Sequence, residues 1–157
     1  MKIALFPGSF DPFTFAHKDL VDRSLTLFDK VHIAVGVNAA KSGLMDFERR
    51  KKAIQALYKN EERVVVDLFS GLTVDYCRRI GAKFILRGLR NSKDLEYEDA
   101  IAQNNLILAP EIETYFLLSR SGTGHISSTI VRDILKNGGL VDSLVPPEVR
   151  AFLDTKS

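Results

Sequence analysis

Ile3-Ala4-Leu5-Phe6-Pro7-Gly8-Ser9-Phe10-Asp11-Pro12-Phe13-Thr14-Phe15-Ala16-His17 is the stretch whose reading decides the fold. Its apolar run, stopped by Pro7 and Gly8, reads as a short buried strand. Further on, Leu20, Val21, Ser24, Leu25 and Phe28 recur at helical spacing, while Asp19, Asp22 and Arg23 fall on the other side. Val31 to Val37 is a second apolar run, rich in β-branched residues. Strand, helix and strand make one crossover unit, so the first two strands should lie parallel.

The alternation continues to the end of the chain. Asp46 is an N-cap candidate for a helix over about 47–58, Val64 to Phe69 reads as a strand, and a helix from Val74 to Ile80 is closed by Gly81. Phe84 to Leu86 is a fourth strand, a longer helix covers about 95–108 before Pro110, and Glu113 to Leu118 is a fifth strand. A late helix starts at Ser127-Ser128 and stops at Asn137-Gly138-Gly139, and Pro146-Pro147-Glu148 opens a short terminal one. The pattern predicts an α/β fold: a single domain over residues 1–157, Rossmann-like, with a doubly wound parallel five-stranded sheet and helices on both faces. Ligands in such sheets bind beyond the carboxyl ends of the strands. The expected site therefore lies in the loops over 7–16, 38–45, 70–73, 87–94 and 119–126.

Composition narrows the function classes. With 22 Lys and Arg against 20 Asp and Glu, the chain has no field of the kind that holds a protein on a polyanion, and no nucleic-acid partner is expected. The single cysteine, Cys77, supplies neither a disulfide framework nor a zinc site, packs with Val74 and Ile80 in one helix, and fits the cytoplasm. No apolar run approaches a membrane span or a signal-peptide core, so no membrane partner is expected. Arg49-Arg50-Lys51-Lys52 reads as a solvated helix face, and His32 as a strand residue rather than a ligand.

No G-x-G-x-x-G follows the first strand, and no G-x-x-x-x-G-K-[ST] occurs. Instead the first loop brings Ser9, Thr14 and His17 to the start of a helix, whose N-terminus attracts anions. Thr14 also reads as its cap. Arg87-Gly88-Leu89-Arg90 follows a strand, with two guanidinium groups around a glycine that permits close approach of a ligand. Ser127-Ser128-Thr129 starts the late helix with more hydroxyls than one cap requires. A helix terminus contributes only about 0.3–1 kcal/mol toward an anion at an exposed site, so a triphosphate needs more. His17, Lys41, Arg87, Arg90 and Mg2+ are the available supplements.

Pro7-Gly8-Ser9-Phe10-Asp11-Pro12 with Thr14-Phe15-Ala16-His17, and Ile126-Ser127-Ser128-Thr129-Ile130-Val131-Arg132 late in the chain, resemble the [HT]-x-G-H and I-S-S-T-x-x-R motifs of the nucleotidyltransferase superfamily. Within it, Arg87-Gly88-Leu89-Arg90, Asp94-Leu95-Glu96-Tyr97-Glu98, the place of Lys41 and the length are similar to the bacterial phosphopantetheine adenylyltransferases. That resemblance implies transfer of AMP from ATP to 4′-phosphopantetheine, with Mg2+ as cofactor and pyrophosphate as leaving group. The acceptor phosphate would attack the α-phosphorus directly. By position, His17, Lys41 and Arg90 carry catalysis, and Ser9 and Lys41 hold the acceptor phosphate. Arg87 contacts the same phosphate, and Thr73, Leu72, Ile101 and Asn105 line the pantetheine arm. Ser9, Phe10, His17, Gly88, Leu89, Arg90 and Glu98 border ATP, together with the segment Thr123, Gly124, His125, Ile126, Ser127, Ser128 and Thr129. The resemblance also implies a homohexamer and feedback inhibition by coenzyme A. Ala16 stands where the motif has glycine, and His125 where the family is usually aromatic and apolar. Alternatives are an adenylyl- or cytidylyltransferase for another acceptor, such as nicotinate mononucleotide, and a non-catalytic nucleotide-sensing module.

Overall fold

β1 (Ile3–Gly8) lies at the centre of the sheet, buried on both faces, which is why its sequence is continuously apolar rather than alternating. In the computed structural model, which describes residues 1–40, 43–120 and 122–153, β2 (Lys30–Gly36), β3 (Val64–Phe69), β4 (Phe84–Leu89) and β5 (Glu113–Leu118) join it. All pairings are parallel, in the order β3-β2-β1-β4-β5. The helices are α1 (Phe15–Ser24), α2 (Phe47–Leu57), α3 (Thr73–Ile80), α4 (Ser92–Leu108), α5 (Ser128–Lys136) and α6 (Pro147–Arg150). This is the α/β doubly wound fold that the strand and helix alternation predicts.

Side chains of neighbouring strand residues point to opposite faces and so feed two cores. Ala4, Phe6, Val31, Ile33, Val35 and Leu86 pack on one face with Val21 of α1, Ile54 of α2, Val131 of α5 and Val149 of α6. Leu5, Ala34 and Ile85 pack on the other with Val74 and Cys77 of α3. Burial pushes the Cys77 thiol up to about 12.

Several boundaries differ from the sequence reading, and β1 itself runs through Pro7 and Gly8, which pair with Ala34 and Val35 of β2. β4 continues past Leu86 to Leu89, because Arg87, Gly88 and Leu89 stay in register with Phe116, Leu117 and Leu118 of β5. α4 begins at Ser92 rather than near Leu95, capped by Asn91, whose Oδ1 accepts the Asp94 N–H at 3.0 Å. α1 ends at Ser24, so Leu25 and Phe28 reach the core from the turn that follows and not from the helix.

The strand order reverses between β1 and β4, the place where an α/β sheet opens a crevice. Register shows the opening directly. β1 pairs with β2 over six residue pairs but with β4 over only two, Ala4 with Phe84 and Leu5 with Ile85. Beyond those, the carboxyl ends of β1 and β4 diverge and leave backbone groups for other partners.

Candidate active site

The divergence of β1 and β4 frees the Pro7 carbonyl, which accepts from Arg87 Nη1 at 2.6 Å. The same guanidinium forms a two-pronged pair with Glu98 of α4, Nε to Oε1 at 2.8 Å and Nη2 to Oε2 at 2.7 Å. Glu98 is the buried residue of α4. Two cavities, each of about 260 Å3, meet at this pair: Pro7, Gly8, Arg87 and Glu98 line both. The first also takes in Ser9, Phe10, His17, Arg90 and the start of α5, and the second Phe69, Thr73, Ile85, Ile101 and Asn105.

His17 is set by its own helix. Thr14 caps α1, its Oγ1 accepting the His17 N–H at 3.4 Å, and the imidazole returns the contact: Nδ1 accepts the Thr14 backbone N–H at 2.9 Å. An Nδ1 that accepts carries no proton, so the neutral ring bears it on Nε2. Phe6, Phe10 and Phe13 surround the ring at centroid distances of 6.1, 5.0 and 5.1 Å. Removal from water, then the positive charges of Arg87 and Arg90, lower its pKa to about 3. His17 is thus a neutral donor at physiological pH, aimed from a rigid first turn.

Phe10 completes this wall at a conformational cost. Its φ of 46° is in the left-handed region, which a side chain other than glycine adopts at about 1–2 kcal/mol. The ring is buried against Phe6 and Phe13, which offsets that cost. Gly8 makes the fold-back possible, since a Cβ there would lie 2.8 Å from the Phe10 ring. Gly88 plays a similar part in β4, where a Cβ would overlap Leu20 Cδ1 of α1.

The three hydroxyls that open α5 divide the work. Ser127 is the cap, its Oγ accepting the Ile130 N–H at 3.2 Å. Ser128 Oγ donates to the Pro12 carbonyl at 2.7 Å, and Thr129 Oγ1 accepts from Arg132 Nη2 at 3.2 Å. The helix start is thereby tied to the first loop, and the N-termini of α1 and α5 border one cleft.

Several expected residues fall elsewhere. Leu89 is buried, and Leu72, 53% exposed, does not line the second cavity. Thr123 lies by a shallow surface pocket with Lys18 and Asp22, and Gly124, His125 and Thr129 do not line the first cavity. Lys41 lies outside the described residues, as do Ser42 and Ser121. Arg90 is paired with Asp94 at 3.2 Å while 40% exposed, so it is accessible to a ligand. Arg50 corrects the reading of residues 49–52 as a solvated face: its side chain is 5% exposed and pairs with buried Asp11. The apolar periodicity of α2 carries no signal for a buried arginine, and Asp11 looks like an ordinary turn residue.

Chemically, the cleft offers donors for phosphate oxygens rather than an activated nucleophile. Thr14 Oγ1, 3.2 Å from His17 Nδ1, is fully buried as a cap. Among the described residues, no group of three or more His, Cys, Asp or Glu converges as a metal cage.

The sequence matches the cytidylyltransferase-like family over residues 5–134. The phosphopantetheine adenylyltransferase of Flavobacterium psychrophilum is 51% identical over 150 residues, 96% of this chain and 99% of that one. That of Christiangramia forsetii is 49% identical over 150 residues with the same coverage. A crystal structure from Vibrio parahaemolyticus, provisionally assigned as a nicotinate-nucleotide adenylyltransferase, superposes with a TM-score of 0.73 over 98% of this chain and 100% of that one. At 21% identity it speaks for the fold alone.

Proposed function

The chain belongs to the cytidylyltransferase-like family, and on that premise we propose that it is the adenylyltransferase of coenzyme A biosynthesis that moves AMP from MgATP to 4′-phosphopantetheine, giving dephospho-coenzyme A and pyrophosphate. The observation that carries this reading is the pair of cavities meeting at Arg87 and Glu98, with His17 beside the junction. The cavity with Ser9, His17, Arg90 and the α5 terminus suits a triphosphate. The other, walled by Phe69, Ile85 and Ile101 with Thr73 and Asn105 as polar points, suits a long, partly apolar arm.

In this reading the acceptor phosphate oxygen attacks the α-phosphorus in line as pyrophosphate leaves, so the protein has only to align two phosphates and stabilise charge. His17 Nε2–H donates to the α-phosphate oxygens, whose charge grows in the transition state. Being uncharged, the ring does not bind the ground-state phosphate as tightly as a cation would, which favours differential stabilisation. Arg90 neutralises the outer phosphates, and Arg87 stands where it can reach the acceptor phosphate. Lys41 and Ser9 are assigned to that same phosphate by their place in the sequence. Mg2+ arrives as part of MgATP.

Three further assignments belong to this proposal. Coenzyme A carries both an adenylate and a pantetheine arm, so it can span both cavities and inhibit. A homohexamer is the assembly the family resemblance implies, and Leu95, Tyr97, Leu106, Ile107 and Leu108 of α4 are exposed apolar side chains that association would cover. The cytoplasm is the compartment that supplies ATP and phosphopantetheine together.

Pyrophosphate release from MgATP, measured with phosphopantetheine and with nicotinate mononucleotide, tests the activity. Turnover with the first and none with the second is expected. The reverse outcome would refute the acceptor, and release with neither would favour a nucleotide sensor.

A further inference from the structure

The loop that carries Ser9 and the loop that follows β2 meet over a buried ion pair. Asp11 and Arg50 are 4% and 5% exposed. Both carboxylate oxygens of Asp11 are committed to the second loop: Oδ2 accepts the Leu44 N–H at 2.8 Å and Oδ1 the Met45 N–H at 2.9 Å. Arg50 Nη2 stands 3.4 Å from Oδ2. The rest of the guanidinium fork spans the two loops, with Nε donating to the Met45 carbonyl at 2.8 Å and Nη1 to the Ser9 carbonyl at 3.1 Å. Its plane lies over the Phe47 ring, 4.5 Å from the centroid. From α5, Arg132 Nη1 donates to the Asp11 carbonyl at 2.9 Å.

We propose that Asp11 and Arg50 are positioning residues for the acceptor phosphate, holding Ser9 and the backbone of Leu44 and Met45 at one fixed spacing. This rests on the acceptor assignment above, in which Ser9 serves that phosphate. Two features separate the arrangement from simple packing. A buried ion pair is a poor source of net stability, because the desolvation cost offsets most of the attraction; here its own burial, the first cause, lowers the Arg50 pKa. Moreover, its hydrogen bonds go to main-chain groups of the two loops, which fixes backbone position rather than filling volume. Gly43 has the same meaning: a methyl there would overlap Asp11 Oδ2 and Arg50 Nη2, so the loop closes on the pair without a gap.

Arg50→Lys keeps the charge but loses the fork, and Gly43→Ala displaces the loop while leaving both charges. Steady-state kinetics should show KM for phosphopantetheine raised about tenfold in each, as expected for misplacement by a fraction of an ångström, with KM for MgATP changed less than about threefold. Thermal melts should remain cooperative. Equal rises in both KM values, or a rate that falls only with the folded fraction, would overturn the positioning role. If Arg50→Lys does not fold, Gly43→Ala decides by the same criterion. A wild-type enzyme inert toward phosphopantetheine would remove the proposed activity itself. An active wild type with both variants unchanged removes only the role of the pair.

Discussion

His17 offers the sharpest quantitative test, because its hydrogen bonds and its charge state make separate predictions. With a pKa lowered to about 3, only about one imidazole in ten thousand is protonated at pH 7. Transition-state stabilisation must then come from the neutral Nε2–H. Removing such a donor ordinarily costs about 3 kcal/mol or more, so His17→Ala should lower kcat by at least about a hundredfold with a smaller effect on ATP affinity. His17→Gln keeps a neutral N–H and should recover part of that loss. Single-turnover pyrophosphate release between pH 5 and 8 should show no inflection that belongs to His17. An inflection near pH 6.5 in the wild type that vanishes in His17→Gln would refute the neutral-donor argument, and an unchanged kcat in His17→Ala would refute the role altogether. Stability carries the same signature. Because the folded pKa lies below the unfolded value, the unfolded chain binds the extra proton first; the contribution of this group is complete above about pH 6.5 and declines as pH falls toward 3, by at most about 1.4 kcal/mol per unit.

Two other expectations follow from the same geometry. Glu98→Gln leaves Arg87 without its carboxylate; because Arg87 is 30% exposed, the loss should be about 1–3 kcal/mol, below that of a fully buried pair, and an unchanged urea midpoint would contradict it. Cys77, inaccessible to solvent and with its thiol pushed up to about 12, should react with a thiol-specific disulfide reagent only as the protein unfolds; rapid labelling of the native protein at pH 8 would show that α3 opens locally.

Legibility along the chain depended on whether a signal was periodic or spatial. The β1, α1, β2 order followed from local hydropathy, since a central strand buried on both faces must be apolar throughout and its crossover helix must carry one apolar stripe. His17 was legible for a related reason: it sits three residues after a capping threonine, in the first turn of the helix that follows the first strand. The sequence reading ends β4 at Leu86 because a charged residue and a strand-weakening glycine, Arg87 and Gly88, interrupt its apolar run. They remain in the strand because β5 completes the ladder and Glu98 neutralises the guanidinium.

By itself the sequence determined the α/β alternation, the placing of phosphate-binding residue types after strands, and, by its motifs, the family. Tertiary structure alone decided which charges pair and which remain for substrate. Arg87 is held by a glutamate 11 residues away and by the Pro7 carbonyl 80 residues away, while Arg90, three positions on, stays accessible. Arg50, set in a basic run that looks solvated, is buried on a turn aspartate 39 positions earlier in the chain. The reason is physical: a side chain's hydropathy and spacing are local properties, but its partner and dielectric surroundings come from segments brought together only when the sheet closes.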